Sequence, residues 1–220
     1  MECFYIVTVG WVFSVCLHEF AHALVAYKGG DISVRDKGYL TFNPLKYTHP
    51  VVSLVLPVLF VWLGGIGLPG GAVYIDRSAL RSKAWDTAVS LAGPAANLVL
   101  IALIGSLFRF GVISQDTQSL AAVSLAFLLY LQISALILNL LPIPPLDGFQ
   151  AIAPWFGEEF YHRGMAASNM GFFFIFIGLS FVPPLANAFQ IAVLSTSGWL
   201  GVDVDLIRVG FRTYREALPL

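Results

Sequence analysis

The chain has 220 residues, of which 58% are hydrophobic and 11% charged, and its mean hydropathy is +0.80. Soluble domains carry about 25% charged residues, so this composition excludes a soluble globular enzyme and points to a polytopic membrane protein. The formal net charge is −1, and without a basic stripe to track phosphates, nucleic acid is excluded as a partner.

The first apolar segment, residues 4–27, is long enough to span a bilayer. It carries no basic leader or small-residue cleavage site, so it reads as a spanning helix rather than a signal peptide. Cys3 and Cys16 are too few and too badly placed for a disulfide framework. Residues 31–42, "DISVRDKGYLTF", mix β-branched residues with Gly38 and predict a short β-hairpin at the membrane edge. Residues 51–75 are uncharged until their end, but Pro57 and the run from Gly64 to Gly71 interrupt them. Breakers at that density argue against one straight helix and for a segment that dips into the membrane and returns, lining something polar.

Three further spans are expected at 85–108, 119–142 and 170–194, followed by a short amphipathic tail. The fold class is therefore an all-α polytopic membrane protein, with about four spanning helices, a re-entrant Gly/Pro-rich segment and a hairpin. No repeat or second soluble domain is visible, so 1–220 reads as one integral-membrane domain with a catalytic core at about 4–150. Counting Lys and Arg leaves the same imbalance whether 51–75 crosses or re-enters. In both cases residues 28–46 face the cytoplasm and the N-terminus faces out.

Inside the first span stands His18-Glu19-Phe20-Ala21-His22. Residues four apart lie on one helix face, so both imidazoles can reach one ion, with Glu19 beside the first as a general base. The competing readings are two buried structural histidines or a proton relay in a transporter. A catalytic tetrahedral zinc needs a third protein ligand, and His49, His162 and the acids are the candidates. Most acids sit in loops beside basic residues and read as solvated charges. Asp147 differs: it ends "NLLPIPPLDG" (139–148), where prolines unwind the end of an apolar span to present one carboxylate. It reaches the depth of His18 and His22 only if an even number of crossings separates them, which favours re-entry of 51–75.

"HEFAH" followed far downstream by "NLLPIPPLDG" resembles the site-2 protease family of intramembrane zinc metalloproteases. "LAGPAANL" (91–98) is similar to that family's Gly-Pro-x-x-Asn span, and "GYLTFNPLKYTHP" (38–50) to a segment of its compact members. His49 departs from the family, which usually has an acid there. The resemblance implies one Zn2+ per chain held by His18, His22 and Asp147, with Glu19 as base. Asn139 is the candidate donor to the substrate or oxyanion. Asn97 reads as a packing polar residue, with Gly93 and Ala95 permitting close helix approach.

The implied reaction is peptide-bond hydrolysis in or near the membrane. The expected partners are the lipid bilayer and a membrane-spanning protein substrate, which must unwind before it is cut. A regulatory membrane protein or a homo-oligomer is a further candidate partner. A strand at 31–42 or 70–75 would hold the substrate by β-addition. The alternatives are a transporter or channel-like protein with a degenerate site, separated by its indifference to Glu19, and a protease for prenylated tails. The last typically uses a downstream Glu rather than Asp-Gly.

Overall fold

Polar side chains are costly in a lipid-facing helix, so in an apolar helix they turn toward protein. The first helix obeys this. The computed structural model describes residues 1–43, 46 and 73–217, apart from the side chains of Asn169 and Phe172. Its α1 runs over Glu2–Gly29, about 42 Å at 1.5 Å per residue, which exceeds the roughly 30 Å of a hydrocarbon core. Cys3, Val7, Trp11, Ser14, His18 and His22 are all buried. Their spacing of three and four makes one stripe, and that stripe carries the motif inward.

The expected hairpin is not formed. Among the described residues there is no strand, and residues 31–42 contain instead the one-turn helix α2, Ser33–Asp36. The cause is Asp31, buried at the end of α1. Its Oδ1 accepts from the backbone N–H of Ser33 at 2.9 Å and from the Ser33 hydroxyl at 2.6 Å. That side-chain turn offers the backbone an alternative to a ladder, and it outweighs the β-branched propensity.

Residues 47–72 lie outside the described residues, and with them most of the expected re-entrant segment. Its flanks are described. Lys46 packs against Gly38, while Asp76 N–H donates to Asp31 Oδ2 at 2.8 Å and Lys37 Nζ to the Tyr74 carbonyl at 2.8 Å. Arg81 N–H donates to the Gly29 carbonyl at 3.0 Å. The chain thus leaves and rejoins the helices at the same end of α1.

A 3-10 turn, Arg77–Ala79, leads into α3, Lys83–Arg109, whose N-terminus is capped by Ser82 Oγ accepting from Trp85 N–H. The central helix is α4, Leu120–Asn139, capped by Ser119. It packs against both α1 and α3. After the Pro-rich turn come α5, Asp147–Phe156, and α6, Glu158–Ala166.

The fourth expected span, 170–194, is not one straight helix. It divides into α7, Ser168–Phe181, and α8, Pro183–Trp199, bent by 92° at Val182. Pro183 cannot donate to the preceding turn and pushes Val182 out of the helical region, which ends α7 there. Among the described residues, three helices (α1, α3 and α4) are long and apolar enough to cross a membrane, or four if the bent pair is one span. The amphipathic tail forms α9, Val204–Glu216, whose Leu206, Ile207, Gly210 and Tyr214 dock on α4 and α1.

Candidate metal centre

α3 crosses α1 where the two histidines face it. Gly93 makes this approach possible, because a β-carbon there would collide with His22 Nε2 and the His18 ring. The neighbouring Ala95, expected to share that role, is exposed instead. The same helix then fixes both rings. His18 Nδ1 lies 2.7 Å from Asn97 Oδ1, and His22 Nδ1 lies 2.6 Å from the Val89 carbonyl. With Nδ1 donating to an oxygen in each ring, both Nε2 atoms keep a free lone pair. Asn97 is therefore a partner of the site, a role that reading it as a packing residue missed.

Asp147 is the first residue of α5, which packs on α3. Gly148 matters here, since a β-carbon on it would run into the Leu140 carbonyl. Asp147 Oδ2 lies 3.2 Å from His18 Nε2, Asp147 Oδ1 lies 3.5 Å from His22 Nε2, and the two Nε2 atoms are 3.0 Å apart. A tetrahedral zinc with bonds of about 2.0–2.1 Å holds its ligand atoms about 3.3–3.4 Å apart. The Nε2–Nε2 separation and the nearest approach of each imidazole to the Asp147 carboxylate, made to its two different oxygens, lie close to that value. Asp147 Oδ2 is also buried without a hydrogen-bond partner among the described residues. Two imidazole lone pairs and an unpaired carboxylate oxygen converge, which is a donor set suited to zinc. His18, His22 and Asp147 form the one cluster of metal-binding character among the described residues.

Glu19 is buried beside them, and its Oε2 accepts from the Val73 N–H at 3.1 Å. Asn139, at the end of α4, lines a small cavity with His18, Glu19, Asn97 and Trp11, roomy enough for a water molecule. Of the other third-ligand candidates, His162 is exposed on α6 and outside the cluster, and His49 lies outside the described residues. Arg77 braces the far side of α5, donating to Asp86 and to Gln150 Oε1 and lying over the Tyr161 ring.

Comparison with known proteins gives the same chemistry. The chain is 45% identical over 207 residues to a protein named zinc metalloprotease Rip2 from Mycolicibacterium smegmatis, covering 94% of this chain and 78% of the relative. This chain belongs to the site-2 protease family. The zinc metalloprotease Rip2 of Mycobacterium tuberculosis H37Rv is 43% identical over 87% of this chain and 72% of its own length. YwhC of Bacillus subtilis, also named a zinc metalloprotease, is 32% identical over 80% of each. No family model and no solved structure matches the chain. It is an intramembrane zinc metalloprotease and a multi-pass membrane protein. The transporter reading is not favoured.

Proposed function

We propose that His18, His22 and Asp147 hold one Zn2+ per chain and that Glu19 and Asn139 act on the substrate. The reaction is hydrolysis of peptide bonds in or beside the transmembrane segments of membrane proteins. The observation that carries this reading is the convergence of the three ligand atoms within 4.8 Å of one another. Zinc bound there supplies a Lewis acid and a water acidified toward a pKa of about 7.

The chain's own groups do the rest. Glu19 Oε2 is steadied by the Val73 N–H, so Oε1 is the atom that takes the proton from the attacking water and later gives it to the leaving amine. Asn139, which lines the same cavity as Glu19, donates its carboxamide N–H to the substrate carbonyl oxygen as negative charge develops there. The burial of both histidines keeps bulk water away from the reacting groups.

The substrate enters unwound, because a helical peptide bond is shielded by its own turn. The remaining candidate edge for β-addition is 70–75, whose Val73 donates its N–H to Glu19. Re-entry of 51–75 is supported by its flanks meeting at one end of α1. With the N-terminus outside, that end and the site open toward the cytoplasm. The whole chain works as one membrane domain, supported by the docking of α8 and α9 on α4.

The test is zinc content and cleavage of a reconstituted transmembrane substrate. Asp147→Ala loses most of its zinc, since two nitrogens alone hold it weakly. Glu19→Gln keeps its zinc and fold but loses turnover by a factor of about 10² to 10⁴. Full zinc in the first variant, or near-normal turnover in the second, overturns the assignment.

A further inference from the structure

α4 is apolar enough to span a membrane, yet Gln132 sits in this helix and is 0% exposed. A buried carboxamide is costly unless both of its ends are paired. Here both are. Gln132 Nε2 donates to Ser14 Oγ at 2.7 Å, and Gln132 Oε1 accepts from Asn97 Nδ2 at 3.2 Å. Ser14 Oγ donates in turn to the Trp11 carbonyl at 2.7 Å. Asn97 Oδ1 faces His18 Nδ1. Four hydrogen bonds thus lead from a backbone carbonyl of α1, through α4 and α3, back to the first histidine of α1.

The chain has only one direction. A carbonyl can only accept, so Ser14 gives its single proton to Trp11 and has lone pairs alone to offer Gln132. Gln132 must then present its NH2 to Ser14 and its oxygen to Asn97. Asn97 must present its NH2 to Gln132 and its oxygen to His18. His18 Nδ1 therefore carries the hydrogen, and the lone pair lies on Nε2, facing Asp147 and His22. Flipping either carboxamide would set donor against donor or acceptor against acceptor in a buried place. His22 needs no such chain, because its Nδ1 meets a backbone carbonyl directly.

We propose that Gln132 and Ser14 are positioning residues that fix the orientation of Asn97, and through it the His18 tautomer able to bind metal at Nε2. This rests on His18 being a zinc ligand.

The experiment compares zinc dissociation constants, by chelator competition, for the full-length detergent-solubilised wild type, Gln132→Leu and Gln132→Glu. Leucine fills the space but removes the acceptor that orients Asn97, and zinc affinity falls by about 10- to 100-fold, as for other outer partners of metal ligands. Glutamate offers Asn97 an oxygen in either protonation state and keeps affinity near that of the wild type. A packing role predicts the reverse order, because leucine suits a buried helix interface and glutamate does not.

In an Asn97→Asp background the side chain facing His18 has an oxygen acceptor whichever way it turns, so Gln132→Leu has no further effect there. Ser14→Ala, which removes the anchor with little change of volume, weakens zinc several-fold and carries the test if Gln132→Leu does not fold. Wild-type affinity in Gln132→Leu or Ser14→Ala overturns the inference, as does a weaker Gln132→Glu than Gln132→Leu. Loss of zinc in His18→Ala, measured alongside, shows which idea has failed. If that variant keeps wild-type zinc, the ligand reading itself is wrong.

Discussion

Gly93→Ala adds one methyl group at the tightest point of the α1–α3 contact. Its carbon would stand 2.5 Å from His18 Nε2 and Cε1 and closer still to His22 Nε2. Ordinary contact begins at 3.4 Å, so the His18 ring must move off by about 0.9 Å and the His22 ring by more, beyond the roughly 0.5 Å within which a ligand constellation still works. The rings have little room to yield, since each is held through Nδ1 by α3 itself. Zinc affinity should fall by about 10- to 100-fold, as when the outer partners of metal ligands are lost. The stability change is smaller. Overpacking costs about 1–3 kcal/mol, and removing a helical glycine recovers about 0.5–1 kcal/mol. A net loss near 1 kcal/mol lowers Tm by about 2–4 °C in a chain of this size. Chelator competition and a thermal melt in detergent, with and without zinc, measure both quantities. Gly105→Ala is the control: it makes the same change on the same helix but meets the Leu200 side chain, away from the site. Wild-type zinc affinity in Gly93→Ala, with the control also unchanged, would refute the claim that this close approach sets the ligand geometry.

Asn139→Ala should keep its zinc and lose turnover by about 10²- to 10³-fold, the usual cost of removing an oxyanion donor; unchanged turnover on a reconstituted substrate removes Asn139 from the mechanism. Single cysteines at positions 46 and 81, in a chain lacking Cys3 and Cys16, should label from the same side of oriented vesicles with an impermeant thiol reagent. Labelling from opposite sides refutes the re-entrant topology.

The pairing of His18 with His22 was legible because an α-helix dictates it locally, at a spacing of four. Asp147 stood out because three prolines break the chain just before it, a pattern an ordinary exit loop would share, and because an even number of crossings would bring it to the depth of the two histidines. What depended on helix rotation and approach was not legible. Nothing in "GPAAN" says that Asn97 rather than Ala95 turns toward His18 (Ala95 is exposed), and both had been expected at the same close contact. The β-branched residues after Asp31 suggested a hairpin because propensity scales average over contexts. One buried carboxylate accepting from Ser33 and Asp76 was enough to turn the chain instead. The bend at Val182 is written in Pro183 and Pro184, which end α7 despite the continuous apolar character of 170–194.

A more general rule would have recovered the missing residues. In an apolar bundle each buried polar side chain carries a desolvation cost, so each needs a partner, and the partners can be followed from one to the next. From His18 the trail leads to Asn97, Gln132, Ser14 and a backbone carbonyl, and every link is satisfied. Three buried side-chain atoms lack a partner among the described residues: Trp11 Nε1, Ser124 Oγ and Asp147 Oδ2. Asp147 is in the metal cluster, and Trp11 lines the cavity that His18, Glu19 and Asn139 share. Ser124 lies beside the buried Cys3 thiol, outside the site. Two of the three unpaired atoms thus belong to residues of the candidate site. Among the described residues the polar groups that orient His18 are paired in series, while the unpaired Asp147 Oδ2 and Trp11 Nε1 belong to residues bordering the candidate site.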